Sequence, residues 1–158
     1  MSSTEVFRIC MKRWESTSYS GYGAKIVGGR WNQKGVPVVY TSGTRSLAAL
    51  ELLVHTDPGL LPDDLVVTPA DLADVDVETF DRSSLPANWR DVPAPEALAE
   101  LGVEWVRSVR SVALKVPSVV VPDEYNILLN PLHPDFAKVK VLPGRPFTLD
   151  PRYRRFTP

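Results

Sequence analysis

Hydrophobic positions fall in short runs broken by proline, glycine and acidic residues, with few stretches of helical spacing. Residues 6–11 are the first apolar run and read as a strand. A loop follows over 16–23, then Gly28-Gly29-Arg30-Trp31-Asn32 and a turn at Lys34-Gly35. Residues 36–41 read as a strand with Val38 and Tyr40 on one face and Val39 and Thr41 on the other. Residues 47–55 form the clearest helix. Thr44 can cap it, Asp57-Pro58-Gly59 stops it, and Leu47, Leu50, Glu51 and Val54 share an apolar, core-facing stripe.

The stretch 63–81 alternates acids with Leu and Val, which predicts one or two strands with a solvated acidic side. Residues 83–95 read as loop. A helix is expected over 94–101, closing at Gly102, with 103–108 continuing it beyond a kink. Residues 111–116 and 119–121 are strand candidates around Pro117-Ser118, 128–136 a proline-broken turn or short helix, and 139–142 a last strand. Strands outnumber helices, so the pattern predicts an α+β fold with a mixed or mostly antiparallel sheet. The 158 residues suit one domain.

Fifteen prolines, about twice the usual ~5%, favour short strands and ordered loops over a helical bundle. A formal charge of -1 argues against a protein built to coat nucleic acid, so no direct DNA binding is expected. The Arg- and aromatic-containing tail from Asp150 to Phe156 reads as solvated or self-docking. Cys10 is the single cysteine and His55 and His133 the only histidines, so no metal site is expected. No apolar run approaches the ~20 residues of a membrane span, and the charged Glu5, Arg8, Lys12 and Arg13 do not suit a leader peptide. The expected location is the cytoplasm.

Three residues stand out chemically. Glu51 puts a carboxylate on an apolar helical face, either as a partly exposed edge residue or as an acid turned toward a cleft. Arg30 follows two glycines that permit close backbone approach, and its forked donors suit phosphate or carboxylate. The same residues also suit a tight turn with a surface arginine. Tyr40 ends a strand ahead of the Glu51 helix, as a pocket ring or a packed tyrosine. Ser118 lacks a nucleophile elbow and reads as a hydroxyl donor or a strand end, and Asn126 and Asn130 as amides serving local backbone.

In order along the chain come Phe7-Arg8-Ile9, Ser20-Gly21-Tyr22-Gly23-Ala24, Gly28-Gly29-Arg30-Trp31-Asn32, Val39-Tyr40-Thr41-Ser42 and Leu47-Ala48-Ala49-Leu50-Glu51. Leu85-Pro86 with Trp89, Val116-Pro117-Ser118, Asn126, Leu129-Asn130-Pro131 with His133, and Asp150 with Arg152 follow. This series resembles the RES-domain toxins of bacterial RES–Xre toxin–antitoxin pairs, over about residues 6–153 of a single domain spanning 1–158. The resemblance implies an ADP-ribosyltransferase-like fold and NAD+ as substrate, with no further cofactor. Members cleave the nicotinamide–ribose bond and pass ADP-ribose to water, phosphate or a protein.

The resemblance implies a role for each matched residue. Glu51 stabilises the cationic ribose, Arg30 holds the phosphates with help from Arg8, and Gly29 allows close approach. Tyr40 stacks on nicotinamide, while Ser118 and Asn130 donate hydrogen bonds in the pocket. An Xre-family antitoxin is the implied partner in a hetero-oligomer. The alternatives are an ADP-ribosyltransferase modifying a cellular protein and a non-catalytic nucleotide-binding module. A glycosidase is disfavoured because only one site carboxylate is evident.

Overall fold

A computed structural model describes residues 4–153, and the tail expectation lies outside the described residues from 154 onward. Eight strands and three α-helices make a mixed α+β fold. The strands are β1 (Glu5–Met11), β2 (Val39–Ser42), β3 (Leu65–Asp71), β4 (Val77–Thr79), β5 (Ala113–Pro117), β6 (Tyr125–Leu129), β7 (Lys140–Val141) and β8 (Arg145–Pro146). The helices are α1 (Tyr22–Val27), α2 (Arg45–His55) and α3 (Glu96–Ser108). The sheet order is β4-β5-β6-β2-β1-β3-β7, with β8 also on β3. Only the β4–β5 pair is parallel among the described strands.

Both sheet faces are buried. Val39, Ala113, Ile127 and Leu129 join Val6, Tyr19, Ala70 and Leu72 in one apolar cluster. Their strand neighbours Val38, Leu114 and Leu128 point the other way, onto Trp31, Leu98 and Trp105. A sheet covered on both sides needs unbroken apolar runs, not alternation. That explains two differences from the sequence reading. β3 is buried from Leu65 to Ala70 and has no solvated face; its acids sit at and beyond its ends. The run Tyr125–Leu129, read partly as a turn, is the strand β6 between β5 and β2.

Helix α2 begins at Thr44, whose hydroxyl accepts the Leu47 amide. Its buried face is rotated from the expected stripe. Leu47 and Ala48 are buried, whereas Leu50 and Val54 are exposed. Ala48 packs on Phe7 and Val67, and Leu52 and Leu53 reach toward Leu61 and Leu65. This rotation leaves Glu51 at the edge of the packed face. The loop expected over 16–23 is largely ordered structure: a 3-10 turn covers Lys12–Thr17 and α1 starts at Tyr22.

Helix α3 does not stop at Gly102. It buries Leu98, Gly102, Trp105 and Val106 along one helical stripe. Gly102 serves packing, because a Cβ built there would lie 1.7 Å from the Trp31 carbonyl oxygen. The absent side chain lets the Trp31 backbone rest on the helix. Gly102→Ala should therefore lose about 3 kcal/mol and lower the melting temperature by about 6–12 °C. A thermal melt within 2 °C (about the spread of neutral substitutions) of the parent would show that the contact is dispensable.

Candidate active site

The turn carrying Arg30 is built by hydrogen bonds from three directions. Gly29 and Asn32 form an antiparallel bridge around Arg30 and Trp31. Asn32, 2% exposed, donates to the Ala24 and Val36 carbonyls at 2.8 and 3.0 Å. The Tyr40 phenol donates to Asn32 Oδ1 at 2.6 Å and accepts the Trp31 amide at 3.0 Å. Gly29 is required beside it, since a Cβ there would lie 2.8 Å from the Tyr40 oxygen. Trp31 plugs the turn into the core, edge-on to Phe80 at 5.4 Å.

Arg30 thus has a fixed origin. Its guanidinium donates to the Trp89 carbonyl at 2.9 Å and the Asp91 carbonyl at 3.2 Å. Burial lowers its pKa, while the charges of Glu51, Tyr40 and Asp91 oppose the shift. The Glu51 carboxylate is therefore within electrostatic reach of Arg30.

Glu51 is gripped from the sheet. Ser118 Oγ and Asn126 Nδ2 both donate to its Oε1, at 2.8 and 2.7 Å. Asn126 is oriented in turn by Ser42, whose hydroxyl donates to Asn126 Oδ1 at 2.8 Å. Ser118 Oγ also accepts the Val120 and Val121 amides at 3.0 and 3.1 Å. With its acceptor capacity used by those amides, its proton goes to Glu51. The same two bonds bend the chain, so 119–121 is a turn and not the expected strand. Glu51 Oε2 points away from these donors, 4.0 Å from Nε2 of the exposed His55.

Arg8 reaches the region from the next strand. β1 meets β2 at the pair Phe7–Ser42, and beyond it the Arg8 guanidinium donates to the Tyr40 carbonyl at 3.0 Å. Burial lowers its pKa, and its Nε is buried with no hydrogen-bond partner among the described residues. A cation in that setting is costly unless an anion joins it.

The structure gathers Arg8, Gly29 and the Arg30 turn around Tyr40, and Ser118 around Glu51, whose charge acts on Arg30. Two of the expected residues are fully buried. Asn130 is fully buried, donates to the Val106 carbonyl at 3.0 Å and accepts the Leu132 amide. It lies four residues along the chain from Asn126, about 13 Å in extended strand, and braces α3. Ser118 is likewise fully buried and supplies its hydrogen bond to Glu51. The sequence reading left Asn32 and Asn126 out of the site. Their signal was an amide within Gly-Gly-Arg-Trp-Asn and one before the apolar run 127–129.

The Glu51 carboxylate, fixed by two neutral donors, and the guanidinium groups of Arg30 and Arg8, which donate to backbone carbonyls, make up the candidate site of this α+β sheet. The chain belongs to the RES domain family, whose description matches residues 5–150. It is 39% identical over 158 residues to the Prs ADP-ribosylating toxin of Sphingobium sp. (strain YBL2), covering 97% of this chain and 98% of that protein. It is 37% identical over 150 residues to Toxin Res of Yersinia enterocolitica, covering 94% and 99%. The fold matches a chain of the M. tuberculosis MbcT–MbcA toxin–antitoxin complex with a TM-score of 0.72 at 13% identity, over 92% of this chain and 85% of that one. Among the described residues no helix is long and apolar enough to cross a membrane.

The two tyrosines that brace this region respond to alkali. Burial pushes the phenols of Tyr40 and Tyr19 above their usual range. A pKa raised on folding means that the unfolded chain loses its proton first, so stability holds below about pH 10 and falls above it. The phenolate signal that Tyr19→Phe and Tyr40→Phe remove should appear in the parent only as circular dichroism is lost in alkali. Its appearance with the circular dichroism unchanged would contradict this burial.

Proposed function

We propose that this chain is the toxin of a toxin–antitoxin pair and that its site cleaves the nicotinamide–ribose bond of NAD+. The carrying observation is the Glu51 carboxylate, held by Ser118 and Asn126 on one oxygen, with its charge acting on Arg30. The name of the Sphingobium relative, an ADP-ribosylating toxin, supports a reaction that uses NAD+.

In this reading the C1′–N bond breaks and nicotinamide leaves with the bonding electrons, which neutralise its ring nitrogen. Positive charge builds on the ribose and is met by Glu51. Because Ser118 and Asn126 hold the carboxylate in advance, little reorganisation is needed as the charge appears. Arg30 and Arg8 hold the phosphates, exchanging carbonyl partners for charged oxygens. The partly buried Tyr40 ring offers a face for nicotinamide, and its phenol keeps Arg30 aimed. The acceptor's oxygen then bonds to C1′ and its proton is released. Water or phosphate as acceptor makes the enzyme a consumer of NAD+. A protein acceptor is the second reading, favoured by the relative's name.

Consumption of NAD+ belongs in the cytoplasm and demands an inhibitor. An Xre-type antitoxin, bound in a hetero-oligomer, would cover the mouth of the site and set a carboxylate beside Arg30. Toxin–antitoxin assembly of the structural neighbour supports such a partner.

Glu51→Gln should fold normally and release nicotinamide from NAD+ about 10²–10³-fold more slowly. Near-parental turnover by the folded variant would remove Glu51 from the mechanism. Accumulation of free ADP-ribose, ribose-phosphorylated product or labelled protein identifies the acceptor. With the antitoxin, inhibition should compete with NAD+ and weaken in Arg30→Ala; a stoichiometric complex that turns over at the free rate would exclude blockade.

A further inference from the structure

The segment between β4 and α3 is a strap laid along the site. Arg82 donates to the Pro122 carbonyl at 2.8 Å, and Arg90 Nη2 to the Val119 carbonyl at 3.2 Å. Arg30 holds the strap from the other side through the carbonyls of Trp89 and Asp91. Arg90 therefore sits between the two residues that Arg30 grips. Its own guanidinium reaches the residue next to Ser118, which holds Glu51. Arg90 is thus tied by sequence to the residues Arg30 holds, and by its Val119 bond to the neighbour of the residue that holds Glu51.

We propose that Arg90 is a second phosphate-binding residue of this site, acting with Arg30 on a ligand that carries a diphosphate. The inference rests on the nucleotide reading above and extends it to a residue that the sequence reading did not select.

Three observations support it. First, the aim of Arg90 is set in advance. Leu85 and Trp89 pack against the second core cluster, and the Asp91 carbonyl is held by Arg30, so residue 90 is fixed on both sides. A donor held in place loses little entropy when a ligand arrives. Second, neither cation is ion-paired. Among the described residues no carboxylate lies within ion-pair distance of Arg30 or Arg90, and their hydrogen bonds go to neutral carbonyls. A diphosphate would supply each with a charged acceptor. Third, Arg90 is not needed as a tie. Arg82 already fastens the strap to the 118–122 turn, and the Val119 bond occupies one donor of an exposed guanidinium that has five.

The test is calorimetric titration of Glu51→Gln protein, with and without Arg90→Ala or Arg90→Lys, against NAD+, ADP and nicotinamide riboside. Arg90→Ala should weaken NAD+ and ADP by about tenfold or more, with Arg90→Lys intermediate. The phosphate-free riboside should change by less than about twofold. Unchanged NAD+ and ADP affinity overturns the proposal, as does an equal loss for the riboside, which would indicate a disturbed strap. If the parent binds ADP and not NAD+, the NAD+ reading fails and the ADP arm still decides Arg90. If the parent binds neither, the diphosphate site is refuted too.

Discussion

The Tyr40 phenol couples the Arg30 turn to the sheet. It grows from a central strand, and its oxygen serves the turn twice, donating to Asn32 and accepting the Trp31 amide. Without that oxygen, Asn32 Oδ1 and the Trp31 N–H would be left without these partners in a partly buried setting, where an unmet polar group costs about 1–3 kcal/mol. Gly29, Trp31 and Gly102 then follow as steric consequences. Gly29 makes room for the phenol, Trp31 inserts into the core, and Gly102 clears α3 from the Trp31 carbonyl. A cationic side chain on a short surface turn is thereby held as firmly as the sheet.

The carboxylate is held by the same logic from the neighbouring strands. Ser42, Asn126 and Ser118 form a directed chain of donors that ends on one oxygen of Glu51. Ser118 has its acceptor side occupied by the Val120 and Val121 amides, and Asn126 has its oxygen held by Ser42, so both are aimed at the carboxylate. Glu51 and Arg30 each bond to neutral groups, and among the described residues they form no direct ion pair.

Much of this was legible in the sequence because it rests on local chemistry. The Thr44 cap, the helix bearing Glu51 and the Gly-Gly-Arg-Trp-Asn turn follow from residue type and spacing. What the sequence concealed was set by packing across distant elements. Leu50 and Val54 looked buried by periodicity, but contacts of Ala48 with Phe7 and Val67 rotate α2 away from that stripe. Gly102 looked like a terminator because nothing nearby announces a carbonyl from residue 31. Ser118 and Asn130 are both buried polar residues near strand ends, and only tertiary contacts separate the one that holds Glu51 from the one that braces α3.

Arg8 carries a consequence for how such a chain evolves. Its Nε is buried with no hydrogen-bond partner among the described residues, and its guanidinium donates to the neutral Tyr40 carbonyl. Replacement of a buried, poorly paired charge by an apolar residue of similar volume is commonly neutral or stabilising. Under the function proposed above, mutations that disarm the site through Arg8 would therefore leave a chain that folds as well as its parent or better. Lineages that lose the activity this way would keep producing a durable, inert copy, and the decay of the gene would be invisible at the level of protein abundance.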